Sequence, residues 1–304
     1  MKILFSVTYY HPYVSGLTIC AGRIAKGFAD LGHDVTALAF QHDPQLPKAE
    51  NISGVKVKRV APLIRLNKGF LSLAWWSESW KSVEECDALV INLPQAEGWI
   101  PALFAKLQHK RIIAIYHCEV NLGNEFINQV VQVILEIANT ITLLLADVVV
   151  TYTQDYADHS RLLKYVKDKV VTQYPPVDLP EVNLKVKKRL EKQIRSNRSD
   201  IIIGVAARLA REKGIEYLLE AMPLLKKKFY PPSGGSKFQI IVAGPLDPVG
   251  ELAYKVKIMQ LVEKYKDNVV FLGSLTQAEM SAFYSLLDVL VLPSVNSTEA
   301  FGLV

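Results

Sequence analysis

The stretch Asp288-Val289-Leu290-Val291-Leu292-Pro293-Ser294 reads as a buried strand that runs into a loop, and Glu299-Ala300-Phe301-Gly302-Leu303-Val304 follows it. A short apolar run closed by Pro is the pattern of a strand covered on both faces. A carboxylate and a glycine beyond the C-terminal end of a parallel strand stand where open α/β sheets bind ligands.

Working back from this end, apolar runs alternate with helical patterns along the whole chain. Strands are expected at 2–7, 34–40, 55–60, 88–92, 111–116, 147–152 and 169–173. Helices fit between most of them, notably at 17–31, 99–107 and 125–145, with Gly32 closing the first as a left-handed cap. A second series places strands at 201–206, 238–243, 269–272 and 289–292, with helices at 214–225, 252–265 and 277–287. Between the two series, Tyr174-Pro175-Pro176-Val177-Asp178-Leu179-Pro180 is neither helix nor central strand, because its prolines lack N–H donors. The expected fold is α/β, with two doubly wound, Rossmann-like lobes facing across a cleft. The expected division is an N-terminal lobe at 1–174, a Pro-containing basic linker at 175–199 and a C-terminal lobe at 200–304.

The formal charge is +5 over 304 residues. Seven basic residues against one acid, Glu191, fall between Lys185 and Arg198, so the rest of the chain is close to neutral. One basic segment is not a nucleic-acid-binding surface. It reads either as a solvated linker or helix face or as a contact for anionic lipid. Cys20, Cys86 and Cys118 lack the spacing of a zinc site or a disulfide framework, which fits a reducing, cytoplasmic setting. The first residues read as a strand rather than an export signal. In the apolar stretch 126–150 the uncharged run between Glu136 and Asp147 is short for a bilayer span. The aromatic segment 66–76, with Trp80 and Lys81 beyond it, reads as a helix over the sheet or as an interfacial anchor.

No G-x-G-x-x-G follows a strand and no Walker A motif occurs, which argues against a nicotinamide dehydrogenase and a P-loop nucleotidase. What stands at one strand-to-helix junction instead is Ala206-Ala207-Arg208-Leu209-Ala210-Arg211-Glu212-Lys213-Gly214. Two cations five residues apart beside a helix N-terminus can neutralise a diphosphate.

This segment together with Glu299-Ala300-Phe301-Gly302 resembles the retaining GT-B glycosyltransferases of family four, the glycosyl transferase group 1 enzymes. The resemblance spans the whole chain and implies transfer of a sugar from a nucleotide-diphosphate sugar to a glycan, lipid or small-molecule acceptor, with retention and without a metal or other cofactor. It implies that Arg208, Lys213 and Gly214 meet the donor diphosphate, with Ala207 where Gly is commoner. Glu299 matches the first Glu of the family's pair, near the transferred sugar, and Phe301, Gly302 and Leu303 match the loop that approaches sugar and phosphates. The second Glu would fall beyond Val304, so the chain is expected to be C-terminally truncated and weak or inactive. Gly16 keeps one glycine of the family's loop after the first strand, and His117 matches a His at a strand end that contacts the donor sugar. Gly244 and Gly273 match donor-lobe turns, and Glu119 is a candidate for the acceptor. The expected catalytic set is therefore His117, Arg208, Lys213 and Glu299. The expected location is the cytoplasm, and peripheral contact with the inner face of the membrane stays open. Two other classes remain open: a non-catalytic nucleotide-binding or split-subunit partner, and a GT-B-fold sugar-nucleotide epimerase.

Overall fold

The computed structural model describes all residues except 67–68, 123–125, 179–180, 195–200, 230–236, 247–251, 296–299 and 303. It divides into two compact units, residues 1–176 with 298–303, and residues 177–297 with 304.

The first unit runs β1 (Lys2–Ser6), α1 (Gly16–Asp30), β2 (Asp34–Phe40), β3 (Ala49–Ile52), β4 (Val55–Val60), β5 (Ile64–Leu66), β6 (Gly69–Leu71), α2 (Ala74–Glu84), β7 (Ala88–Leu93), α3 (Trp99–Leu107), β8 (Arg111–Tyr116), α4 (Phe126–Leu145), β9 (Val148–Thr151), α5 (Gln154–His159) and β10 (Val170–Thr172). Its main sheet has the order β10-β9-β8-β7-β1-β2-β4-β3, parallel throughout except for β3 at one edge. Such a sheet is covered on both faces, so its strands are apolar on both sides. Ile3 and Phe5 point into one cluster with Ala25 of α1, while Leu4, Leu89 and Ile91 point into the other with Trp75 of α2 and Ala102 of α3.

Strand order reverses between β1 and β7, since β2 and β4 follow on one side and β8, β9 and β10 on the other. The crevice at the C-terminal ends of two strands that diverge in this way is the ligand position of doubly wound sheets. The alternation left three elements unread. β3 and β4 form a hairpin closed by Ser53 and Gly54, both at positive φ, as a two-residue turn that follows the strand twist requires. β5 and β6 form a second small hairpin, and α5 with two short helical turns fills the connection from β9 to β10.

The second unit runs α6 (Leu184–Ile194), β11 (Ile201–Ala206), α7 (Ile215–Glu220), α8 (Met222–Phe229), β12 (Phe238–Ala243), α9 (Leu252–Lys264), β13 (Val269–Gly273), α10 (Gln277–Tyr284) and β14 (Val289–Leu290). Its four strands are parallel in the order β13-β12-β11-β14, so the reversal lies between β11 and β14. The stretch expected as one helix at 214–225 is two, because Pro223 cannot supply the N–H that a continuous helix needs there. The basic segment at 185–198, whose residues beyond Ile194 lie outside the described ones, contains α6. It buries Leu190 and Ile194 against Ile202, Phe283 and Leu286 of the second unit. Its cations stay at the surface, where Arg189 pairs with Glu279 and Lys187 donates to Ser285 O at 3.2 Å.

Candidate functional site

In the first unit the loop from Val7 to Ser15 leaves β1 at the reversal point and enters α1. Ser15 caps α1 in a reciprocal pair with Thr18, leaving Gly16 exposed in the first turn. The loop is held from beneath by Arg59 of β4, whose buried guanidinium donates to His11 O at 2.6 Å and Pro47 O at 2.9 Å and pairs with Glu50. The His11 ring packs on α1 at Gly22, where a Cβ would lie 2.6 Å from His11 Nε2.

His117 follows β8 and is only 5% exposed. Its Nε2 lies 3.0 Å from Asn92 Oδ1, and its Nδ1 hydrogen-bonds the Tyr152 hydroxyl. An amide oxygen only accepts, so Nε2 carries the proton and Nδ1 is the acceptor. Asn92 in turn donates to Ser6 O at 3.2 Å, and the Tyr152 hydroxyl stands 3.2 Å from the Cys20 sulfur. Burial pulls the imidazole down to about 3, so it is neutral at physiological pH. Both ring nitrogens thus have protein partners, drawn from β7 and from just beyond β9.

Two further side chains at this sheet edge are revealed only by the structure. Glu97, between β7 and α3, is 7% exposed, and burial raises its carboxyl to about 7. The carboxyl accepts from Thr8 and from the Phe70 backbone, while Oε2 meets no partner among the described residues. Next to it Tyr9 stacks on Tyr13 with ring centroids 4.3 Å apart and packs against His42 and Phe70. Glu119, by contrast, is committed to structure: it accepts from Ser160 Oγ at 2.8 Å and from Arg161 Nε at 2.9 Å.

The segment after β14 contributes to this first unit. Ala300 is buried in its main core cluster, and the Phe301 ring lies edge-on to Tyr152 at 6.0 Å and beside Tyr174 at 5.8 Å. Gly302 is half-buried next to it. Glu299 and Leu303 lie outside the described residues.

In the second unit the C-terminal ends of β11, β12 and β13 converge. The Ala207 N–H donates to Ala243 O at 2.9 Å, and the Gly244 N–H donates to Gly273 O at 2.8 Å. Gly244 sits at φ +151°, and a Cβ there would lie 2.0 Å from Ala207 O, so the chain after β12 runs backbone against backbone with the chain after β11. Gly273 has φ +73°. Lys213 ends a short turn before Gly214, which takes φ +60° to start α7. A Cβ at Gly214 would lie 2.2 Å from Pro293 O, so the loops after β11 and β14 touch where the strand order reverses. Arg208 stands at this edge, paired with Glu212 one helical turn on. Arg208, Lys213, Gly244 and Gly273, far apart in sequence, thus share one end of one sheet. Glu212, present in the motif as quoted, is the counter-ion that the motif reading overlooked.

A model of Glycosyltransferase Family 4 matches residues 14–181, and one of Glycosyl transferases group 1 matches residues 186–304. Over 319 aligned positions that cover all of this chain and 77% of the relative, it is 26% identical to an uncharacterized glycosyltransferase of Methanocaldococcus jannaschii. Its structure is similar to that of Anabaena HepE in complex with UDP, with a TM-score of 0.69 and 17% identity over 97% of this chain and 74% of that one. It is also similar to sucrose-phosphate synthase of Thermosynechococcus elongatus, with a TM-score of 0.66 and 20% identity over 99% and 77%. The fold is the GT-B type. The chain belongs to Glycosyltransferase Family 4 and is a glycosyltransferase of GT-B type.

Proposed function

We propose that the protein transfers a sugar from a nucleoside-diphosphate sugar to an acceptor with retention of configuration, the second unit taking the donor and the first the acceptor. The observation that carries this reading is the convergence of Arg208, Gly244 and Gly273 at the C-terminal end of β11, β12 and β13, with Lys213 entering α7. Two cations and a glycine-framed backbone suit a diphosphate, because amides and small residues let an anion approach closely. The UDP complex of the Anabaena neighbour makes uridine the first base to test.

Arg208 and Lys213 would stabilise the charge that builds on the leaving diphosphate, which is electrostatic catalysis by groups already in place. Arg208 would exchange Glu212 for phosphate when donor binds. In this reading the two cations neutralise the diphosphate in place of a metal ion. His117 is neutral, so it would serve the transferred sugar as a hydrogen-bonding group, giving up one of its two present partners to do so. Glu299, Phe301, Gly302 and Leu303 would line the sugar side, and Gly16 would lie beneath the phosphates. Glu97, with the Tyr9–Tyr13 pair beside it, would receive hydroxyls and a ring face of the acceptor. The acceptor would be a glycan, a lipid-borne group or a small molecule, and the protein would work in the cytoplasm.

Calorimetric titration with UDP, GDP and ADP, beside Arg208→Ala, tests the reading. It expects one diphosphate to bind and the variant to lose that binding. No binding by any of the three, or binding indifferent to the variant, overturns it.

A further inference from the structure

Helix α4 is built inside out for a helix in water. Its inner stripe carries Gln132, Glu136, Asn139 and Thr142 beside Ala138 and Leu143. Gln132 accepts from Leu122 N at 3.1 Å and donates to Glu136 at 3.0 Å, Glu136 pairs with Arg161 at 2.9 Å, and Asn139 accepts from Gln95 N at 3.1 Å. Its outer stripe is apolar: Ile127, Val130, Val131, Ile134, Ile137, Ile141 and Leu144 recur every three or four residues, and all are exposed. That stripe is about 26 Å long at the helical rise and holds no charge. Isolated exposed aliphatics are ordinary, but a contiguous face of this size marks a docking surface.

What surrounds the stripe selects its occupant. α3 packs between α4 and α2, so the three helices form one layer. On the α2 side that layer exposes Leu73, Trp76 and Trp80, followed by Lys81, with Leu107 of α3 between. Past the other edge, Lys164 and Lys167 are exposed in the two short turns after α5, against the single acid Asp168. Lys169 closes the C-terminal end of α4 by donating to Leu144 O and Ala146 O. An uncharged stripe flanked by indoles and lysines matches the layering of an acidic lipid surface, with acyl chains below and anionic headgroups at the rim. By length and composition α4 could cross a bilayer, but its inner polar bonds tie it to residues 95, 122 and 161 of the first unit.

We propose that α4 lies in the plane of an anionic bilayer surface and docks the first unit on it through its outer stripe, with the lysine rim reading the headgroups. The proposal deepens the acceptor reading above and rests on it only in pointing to a lipid-borne acceptor; the docking itself is measured without turnover.

The test is flotation of the whole chain with vesicles of phosphatidylcholine alone and of phosphatidylcholine mixed with phosphatidylglycerol. The protein is expected to float with both, more strongly with the anionic mixture, and the excess should fall as salt is raised. The double substitution Ile134→Glu with Ile137→Glu touches only exposed positions and should lower partitioning about tenfold or more. Leu252→Glu, equally exposed on the second unit, should leave it unchanged. Circular dichroism and the UDP titration are run on the same samples. Retained UDP binding without flotation sinks the docking proposal alone, whereas flotation without UDP binding sinks the donor reading alone. Flotation indifferent to the double substitution overturns the proposal, as does a dimer that the substitution dissociates, which would give the face to a second copy. If the double variant loses its fold, Ile127→Glu in the first turn of α4 reads the same partitioning.

Discussion

The two units place the side chains of their candidate sites at the same end of the same kind of sheet but secure them by opposite means. In the first unit the key side chain is sunk into a chain of buried hydrogen bonds: Ser6, Asn92, His117, Tyr152 and Cys20 lie in series, each almost wholly withdrawn from water. In the second unit the frame is backbone packed on backbone at Gly214 and Gly244, and the charged side chains sit on its surface. Buried polar chains are strong when every member is satisfied and costly when one is removed. A glycine frame tolerates no added atom but leaves its cations free to change partner. One unit is therefore suited to hold a fixed geometry and the other to exchange a counter-ion for a ligand.

The largest expected effect tests the backbone frame. Gly244→Ala would press a Cβ against Ala207 O in a conformation that L side chains rarely adopt, and should cost about 3 kcal/mol or more in chemical denaturation. An unchanged unfolding midpoint would remove the contrast between the units. Arg208→Ala should leave stability within about 0.5 kcal/mol, because the lost ion pair is at the surface. The same change should weaken diphosphate binding by about 1.5–3 kcal/mol in calorimetry, the worth of charge-assisted bonds to phosphate. Loss of stability without loss of binding would make Arg208 structural.

A sharper test of burial in the first unit uses pH. Glu97 is raised from 4.5 to about 7, so the native state gains stability as pH falls from 7 toward 4.5. His117 is lowered from 6.5 to about 3, so the unfolded state takes up its proton first and stability is lost as pH falls below 6.5. Between 4.5 and 6.5 the two contributions oppose each other. Glu97→Gln removes one of them, and the variant should then lose about 1.4 kcal/mol per pH unit relative to the parent across that window. Groups common to both proteins drop out of the difference, so parallel curves of Tm against pH would refute the assignment. The smallest effect is expected from Glu212→Gln. Freeing Arg208 from its surface partner should tighten diphosphate binding by about 0.5–1 kcal/mol, and weaker binding would mean that Glu212 orients Arg208 instead of competing for it.

The strands were legible because parallel strands covered on both faces are continuous apolar runs, as in β7, β8 and β12. The break between α7 and α8 was also legible in principle, since Pro223 is visible in the sequence. At the end of the second sheet the motif singled out Arg208 and Lys213, which lie close together in the sequence, and passed over Glu212 between them. The partners of His117 are Asn92 and Tyr152, with Cys20 beyond Tyr152, and no periodicity links residues so far apart. Glu97 belongs to no motif, and only burial distinguishes it from a surface carboxylate. The apolar character of the stretch that forms α4 was plain, but composition does not say which face turns inward. The bonds of Gln132, Glu136 and Asn139 decide that.

Tyr152 meets Phe301 with its ring and His117 with its hydroxyl. The two ends of a rigid phenol cannot be set independently. A ligand that rearranges residues 300–302 must therefore be felt at the imidazole, and by thermodynamic reciprocity whatever fixes the imidazole biases those residues by the same amount. A single side chain thus acts as a lever, with residues 300–302 on one arm and the buried histidine on the other.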